Sequence, residues 1–247
     1  MSEQTAKSGQ TVRERIVSLK ERIVTSTSMG MLRPFNRHKM VDLDPVKQDP
    51  ENPLVFIGNH AEIYGPIASA LCFPVPVRFW VVSKMMYNKQ DVRAYLYENT
   101  FSKKTYLPVF VRKLLAWYLG WLSVNVMNAL RAIPVYRDSP MKLRQTIRES
   151  VDALEHGENL MIFPEHPDGK YVKGGIGELS PGFVMLAEAW WKKSGKKLRI
   201  MPVFANREKR TFTFGEEIRY EPENGYAAEQ DRILAEAHEQ LDALSKR

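Results

Sequence analysis

Cysteine is nearly absent, with Cys72 alone among 247 residues. That excludes an intrachain disulfide and any cysteine-rich metal site, and a reducing compartment such as the cytosol is the natural setting. Cys72 itself is expected to be a buried core residue. No run of about 18 apolar residues occurs, so no segment is expected to span a bilayer. The opening MSEQTAKSGQ lacks the basic-then-apolar order of a secretion signal. These absences predict a soluble or peripheral protein. Internal repeats and recognised nucleic-acid motifs are also missing, and no nucleic-acid partner is expected.

What is present is the mixture of a folded protein: 44% hydrophobic and 26% charged residues. The length suits one large α/β domain with helical appendages. A formal net charge of +7 draws the surface toward an anionic partner such as an acidic lipid leaflet. Residues 1–10 read as a disordered tail. Residues 11–48 read as a basic amphipathic helical segment, because Val12, Ile16, Leu19 and Ile23 share a helical face while Arg13, Arg15, Lys20 and Arg22 lie largely elsewhere. The α/β domain is placed at 49–225 and a C-terminal helix at 226–247, with Ile233, Leu234, Ala237, Leu241 and Leu244 expected to pack on the body.

Asn52 to Asn59 (NPLVFIGN) is a short apolar run entered from Pro53 and closed by Gly58, which predicts a buried strand. Further strands are expected at 78–83, 132–136, 159–163, 198–204 and 210–214. Helical spacing at 141–156 stops at Gly157, and a second helix over 182–193 stops near Gly195, both suited to left-handed caps. Strands alternating with helices predict an α/β sheet covered on both faces.

His60 stands one residue past the first of these strands, where ligands approach an α/β sheet and a neutral imidazole can act as general base. Four segments recur with it in order: NHAEIYGP at 59–66, IPVYRD at 133–138, IFPEH at 162–166 and IMPV at 200–203. Lys84 in VVSKMM, GELSPGFVMLA at 177–187 and FGEEI at 214–218 fall between and after them. Together they resemble the glycerol-phosphate and lysophosphatidate acyltransferase family over roughly residues 50–220. The resemblance implies a mixed, largely parallel sheet flanked by helices. It also implies a histidine base that deprotonates an acceptor hydroxyl for attack on an acyl thioester, acyl-CoA or acyl-carrier protein. The acceptor would be a lysophospholipid or glycerol-phosphate, with no further cofactor and no metal. Arg137 and Lys84 match substrate-binding positions of the family, and Glu165 matches a glutamate that shapes the acceptor site.

The sequence departs from the family at two places. The aspartate that holds the family histidine is Gly65 here. Glu62 is the first candidate to replace it as a catalytic partner of His60, with Glu165, Asp168 and Tyr64 as the others; alternatively Glu62 is a solvated residue in the first turn of a helix beginning near Pro66. In the third motif FPEHPDG puts His166, Pro167 and Asp168 where the family has glycine, threonine and arginine, so Lys170 is the nearest substitute cation. These departures also admit a catalytically weak relative that binds lipid or acyl chains. Finally, residues 104–122 mix Tyr106, Phe110, Trp117, Tyr118 and Trp121 with Lys104, Arg112 and Lys113, the composition of a headgroup interface. Peripheral attachment of a cytoplasmic protein to an anionic membrane surface follows as an expectation.

Overall fold

The computed structural model describes residues 27, 30, 34, 37–43, 46, 51–61, 64–86, 89–102, 106–136, 139–165 and 175–247. The expected amphipathic helix at 11–25 lies outside them. Among the described residues eight strands form one mixed, mostly parallel sheet: β1 (Lys39–Val41), β2 (Leu54–Gly58), β3 (Val77–Val82), β4 (Ile133–Val135), β5 (Asn159–Ile162), β6 (Arg199–Asn206), β7 (Thr211–Phe214) and β8 (Ile218–Arg219). The spatial order is β1-β7-β6-β2-β5-β3-β4, and β8 pairs with the first half of β6. β6, β2, β5, β3 and β4 run parallel, while β7 and β8 are antiparallel to β6.

Among the described residues six α-helices accompany it: α1 (Tyr64–Cys72), α2 (Lys89–Leu96), α3 (Val109–Ala129), α4 (Pro140–Glu155), α5 (Gly182–Ser194) and α6 (Tyr226–Lys246). β2 is buried at every position, and its period of two divides the core. Val55 and Ile57 join Leu160, Ile162 and Ile200 beneath α4, α5 and α6. Leu54 and Phe56 face the other way, with Phe79, Met161 and Met201, toward Ala68 of α1 and the end of α3. A strand covered on both faces reads as a continuous apolar run, which is why LVFIG is legible without alternation. α4 opens on Ser139, whose hydroxyl accepts from the Lys142 N–H, with Pro140 at the first position. α5 closes on Gly195 at φ 68.

Between β3 and β4 the chain makes a long helical excursion. β3 runs into a 3-10 turn, Ser83–Met85, then α2, a π-helical turn at Tyr97–Phe101, and α3. Gly120 lets α2 and α3 close on each other: a Cβ there would lie 2.7 Å from Cγ of Arg93. The Arg93 guanidinium lies over the Trp117 ring at 5.2 Å. α3 ends three residues before β4, with the Ala132 N–H bonded to Met127, so its last turn is tied to the amino end of β4. Twenty-one residues at about 1.5 Å each give roughly 31 Å of helix. Cys72, expected in the core, is half-buried at the end of α1, because the helix stops there and turns its last residue toward an open cavity.

Candidate functional site

The carboxyl ends of β2, β5 and β6 lie side by side, and the site is built from the residues that follow them. Asn59, one residue past β2, is buried, and its amide grips the main chain of Ala205 twice: Oδ1 accepts from the N–H at 2.7 Å and Nδ2 donates to the carbonyl at 3.2 Å. The side chain thus carries the β2–β6 ladder past its last backbone pair, Gly58 with Val203. It fixes where His60 leaves the sheet.

The chain then reverses sharply. Ala61 sits in the left-handed region at φ 43, which for a residue with a Cβ costs roughly 1 kcal/mol. The reversal lets the Tyr64 N–H reach the Ala61 carbonyl at 3.1 Å and the Gly65 N–H reach the His60 carbonyl at 3.2 Å. α1 therefore begins at Tyr64, two residues before the expected start. Gly65 is pressed onto the end of β2, where a Cβ would stand 2.0 Å from the Asn59 carbonyl oxygen. The aspartate that the resemblance leads one to expect at this position would have no room: the turn has closed over the space its side chain would need. The same closure uses the first donors of α1, because the Tyr64 and Gly65 N–H groups are bonded and Pro66 has none.

Glu165 comes to this turn from the end of β5. Its Oε1 accepts from the main-chain N–H of His60 at 2.5 Å and its Oε2 from the Gly177 N–H at 3.4 Å. Glu165 also bridges to Leu179, while the Ser180 N–H bonds the Pro164 carbonyl at 2.7 Å. One carboxylate therefore ties together three chain segments. Burial pushes the Glu165 carboxyl above its usual value, opposed by the two N–H donors. The half-buried His60 ring meets the edge of Phe163 at 5.9 Å, and Phe163 stacks on Phe79 at 6.4 Å.

Of the residues singled out from sequence, His60 and Glu165 are brought together. Their contact runs through the His60 main chain. Lys84 is exposed on the turn after β3, at the same carboxyl edge of the sheet. Glu62, Arg137, Asp168 and Lys170 lie outside the described residues.

A second group on this edge escaped sequence reading except for Tyr64, a candidate partner of His60 whose hydroxyl meets His38 instead. The Tyr64 hydroxyl is 2.5 Å from His38 Nε2, and the Arg207 guanidinium lies over the Tyr64 ring at 5.9 Å. Burial raises the Tyr64 phenol above its usual value, while the charges of Arg210 and Arg207 pull it down. Only sheet topology gathers these residues, since β1 and the β6–β7 turn meet α1 far from each of them in sequence.

Compared with models of known families and with curated proteins, the chain matches none.

Proposed function

We propose that the chain is an acyltransferase that moves a fatty acyl group from acyl-CoA or acyl-carrier protein to a hydroxyl of a lysophospholipid or glycerol-phosphate acceptor, with His60 as general base. The observation that carries this reading is the His60 to Glu165 hydrogen bond, which joins the motifs at 59–66 and 162–166 at one end of neighbouring parallel strands. In the reaction the imidazole takes the hydroxyl proton as the oxygen attacks the thioester carbonyl. The tetrahedral intermediate then expels the thiolate, which receives that proton from the imidazolium. Glu165 positions His60 by holding its main chain. Oxyanion stabilisation by the opening N–H groups of α1 forms no part of the proposal, because Tyr64 and Gly65 already spend theirs.

The closed turn at Gly65 favours a second reading, a relative that binds lipid or acyl chains with little turnover. Incubating the protein with lysolipids, glycerol 3-phosphate and acyl thioesters, then identifying products by mass, separates the two. A thioester-dependent ester product that disappears in a folded His60→Ala variant supports the first. Near-wild-type turnover by that variant would remove His60 from the base role.

We place the reaction at a membrane surface, with the protein peripherally attached from the cytoplasmic side. Among the described residues no helix is long and apolar enough to cross a bilayer. The support lies on α3 and just before it: Tyr106, Phe110, Leu114 and Trp117 are exposed, Phe110 at 72%, with Lys113 exposed beside them. Aromatic rings flanked by cations suit the headgroup boundary.

A further inference from the structure

The group around Tyr64 has features that packing does not require. Arg37, Arg207 and Arg210 are exposed, and none of the three guanidinium groups has a carboxylate partner among the described residues. Gathering like charges without a counterion is unfavourable unless an anion joins them. Arg210 also occupies a costly position. The Asn206 side chain accepts from the Glu208 and Lys209 N–H groups to shape the β6–β7 turn, and Arg210 then takes φ 50, a left-handed conformation that ordinarily selects glycine or asparagine. The Arg210 carbonyl accepts from Lys39, which places His38 at the same spot. The His38 ring lies on Phe212 at 4.8 Å.

The cluster also belongs to the neighbourhood of His60. Tyr64 opens the helix that follows the His60 turn, and Arg207 is two residues past Ala205, the backbone partner of Asn59. His38 also lines an open cavity of about 520 Å³, together with Arg37, Leu71, Cys72 and Phe73 among others. That leaves room for the body of a molecule whose anionic group sits on the arginines.

We infer that Arg207 and Arg210, with Tyr64 and His38, form a phosphate-binding subsite that holds the phosphate monoester of a substrate presented to His60. This rests on the acyl-transfer reading and adds to it a recognition element on the β6 side, apart from Arg137. Guanidinium groups are matched to phosphate oxygens by their paired N–H donors. In the tautomer that carries the proton on Nε2, His38 donates to the phenol oxygen, which leaves the Tyr64 hydroxyl proton for the anion. Two sources share this chemistry, the phosphate of a glycerol-phosphate acceptor and the 3′-phosphate of a coenzyme A donor.

The test is equilibrium binding by the full chain, measured calorimetrically with glycerol 3-phosphate, glycerol, coenzyme A and its 3′-dephosphorylated form. The double variant Arg207→Ala with Arg210→Gly is the comparison. Glycine suits the left-handed position, so this variant is expected to fold at least as firmly as the wild type at that turn. The expected result is binding of one phosphate-bearing member of a pair over its unphosphorylated partner, weakened about tenfold or more in the double variant. Which pair shows it names the source. No phosphate preference in the wild type, equal binding by the double variant, or affinity for acidic vesicles alone would overturn the inference. Phosphate binding lost in the variant, in a protein that makes no acyl product, would sustain the subsite and defeat the acyl-transfer reading. Product formation with unchanged KM values in the double variant would do the reverse.

Discussion

In the sheet body Asn59 is paired with Ala205, Asn159 with Leu54, Thr146 with Pro134, and Glu229 with Arg232 and Asn224, which hold its carboxyl down to about 2. In the excursion between β3 and β4 the pattern inverts. The buried side-chain atoms without a hydrogen-bond partner among the described residues are Nε of Arg93, Nε of Arg112 and both polar atoms of Asn125, all on α2 and α3. On the outside of the same excursion stand the exposed rings of Tyr95, Tyr106, Phe110, Trp117 and Tyr118. One region pairs these buried polar groups within itself. The other keeps polar atoms inside and apolar surface outside, as expected of a segment whose outer face meets something less polar than water.

Glycine substitutions break that comparison most directly. Gly65→Ala or Gly65→Asp drives a Cβ to 2.0 Å from the carbonyl oxygen of Asn59, a residue anchored through its side chain to Ala205, so the turn must reopen. We expect a loss of stability of about 3 kcal/mol or more in chemical denaturation, with acyl transfer lowered at least about a hundredfold. Gly120→Ala meets the Arg93 side chain first, at 2.7 Å, and that stem can move. Its cost should be smaller, about 1–2 kcal/mol. Higher activity in Gly65→Asp would mean that the closed turn is not the working state and that the family aspartate can be restored.

A second, milder change acts on the outer face of the excursion. Phe110→Ser combined with Trp117→Ser removes two exposed rings, so the midpoint of thermal unfolding should fall only slightly, through the lost contact of Trp117 with Arg93. Cosedimentation with acidic vesicles should weaken about tenfold or more, since each buried ring is worth about 1 kcal/mol or more at the interface. The residual binding should fall with salt. Unchanged vesicle binding would leave the exposed rings without a lipid role.

The difference between the two regions also explains what the sequence makes legible. β2, β3, β5, β6 and β7 are runs of strand formers bounded by proline, glycine or asparagine, and each lies within a residue or two of its expected place. α3 was not read as a helix, because apolar residues on every side, from Phe110 and Leu114 to Leu115 and Leu119, erase the period of 3.6 that marks an amphipathic helix. β1 and β8 span three and two residues, too short for any pattern. In the site, His60 and Glu165 were visible because each stands next to a strand with a motif around it. The role of Gly65 was not, since only the left-handed Ala61 and the packing of α1 on Asn59 show what the missing side chain would strike. His38, Tyr64, Arg207 and Arg210 share no local pattern at all.

The smallest effect is the most direct probe of the inversion. Asn125 is 2% exposed on α3, and neither its Oδ1 nor its Nδ2 is hydrogen-bonded among the described residues. Burying an unpaired amide costs about 1–3 kcal/mol, whereas a leucine, with the same number of side-chain heavy atoms but more bulk, carries no polar atoms to satisfy. Val124 and Ala116, buried on the same helix, show that its inner face accepts apolar side chains. Asn125→Leu should therefore stabilise the protein by about 1 kcal/mol, raising the unfolding midpoint by roughly 2–4 °C. Vesicle binding should stay as it was, because the substitution faces inward. A loss of 1 kcal/mol or more would show that the amide is bonded in solution. The excursion would then be closed on its inner side like the sheet body, and its exposed rings alone would set the two regions apart.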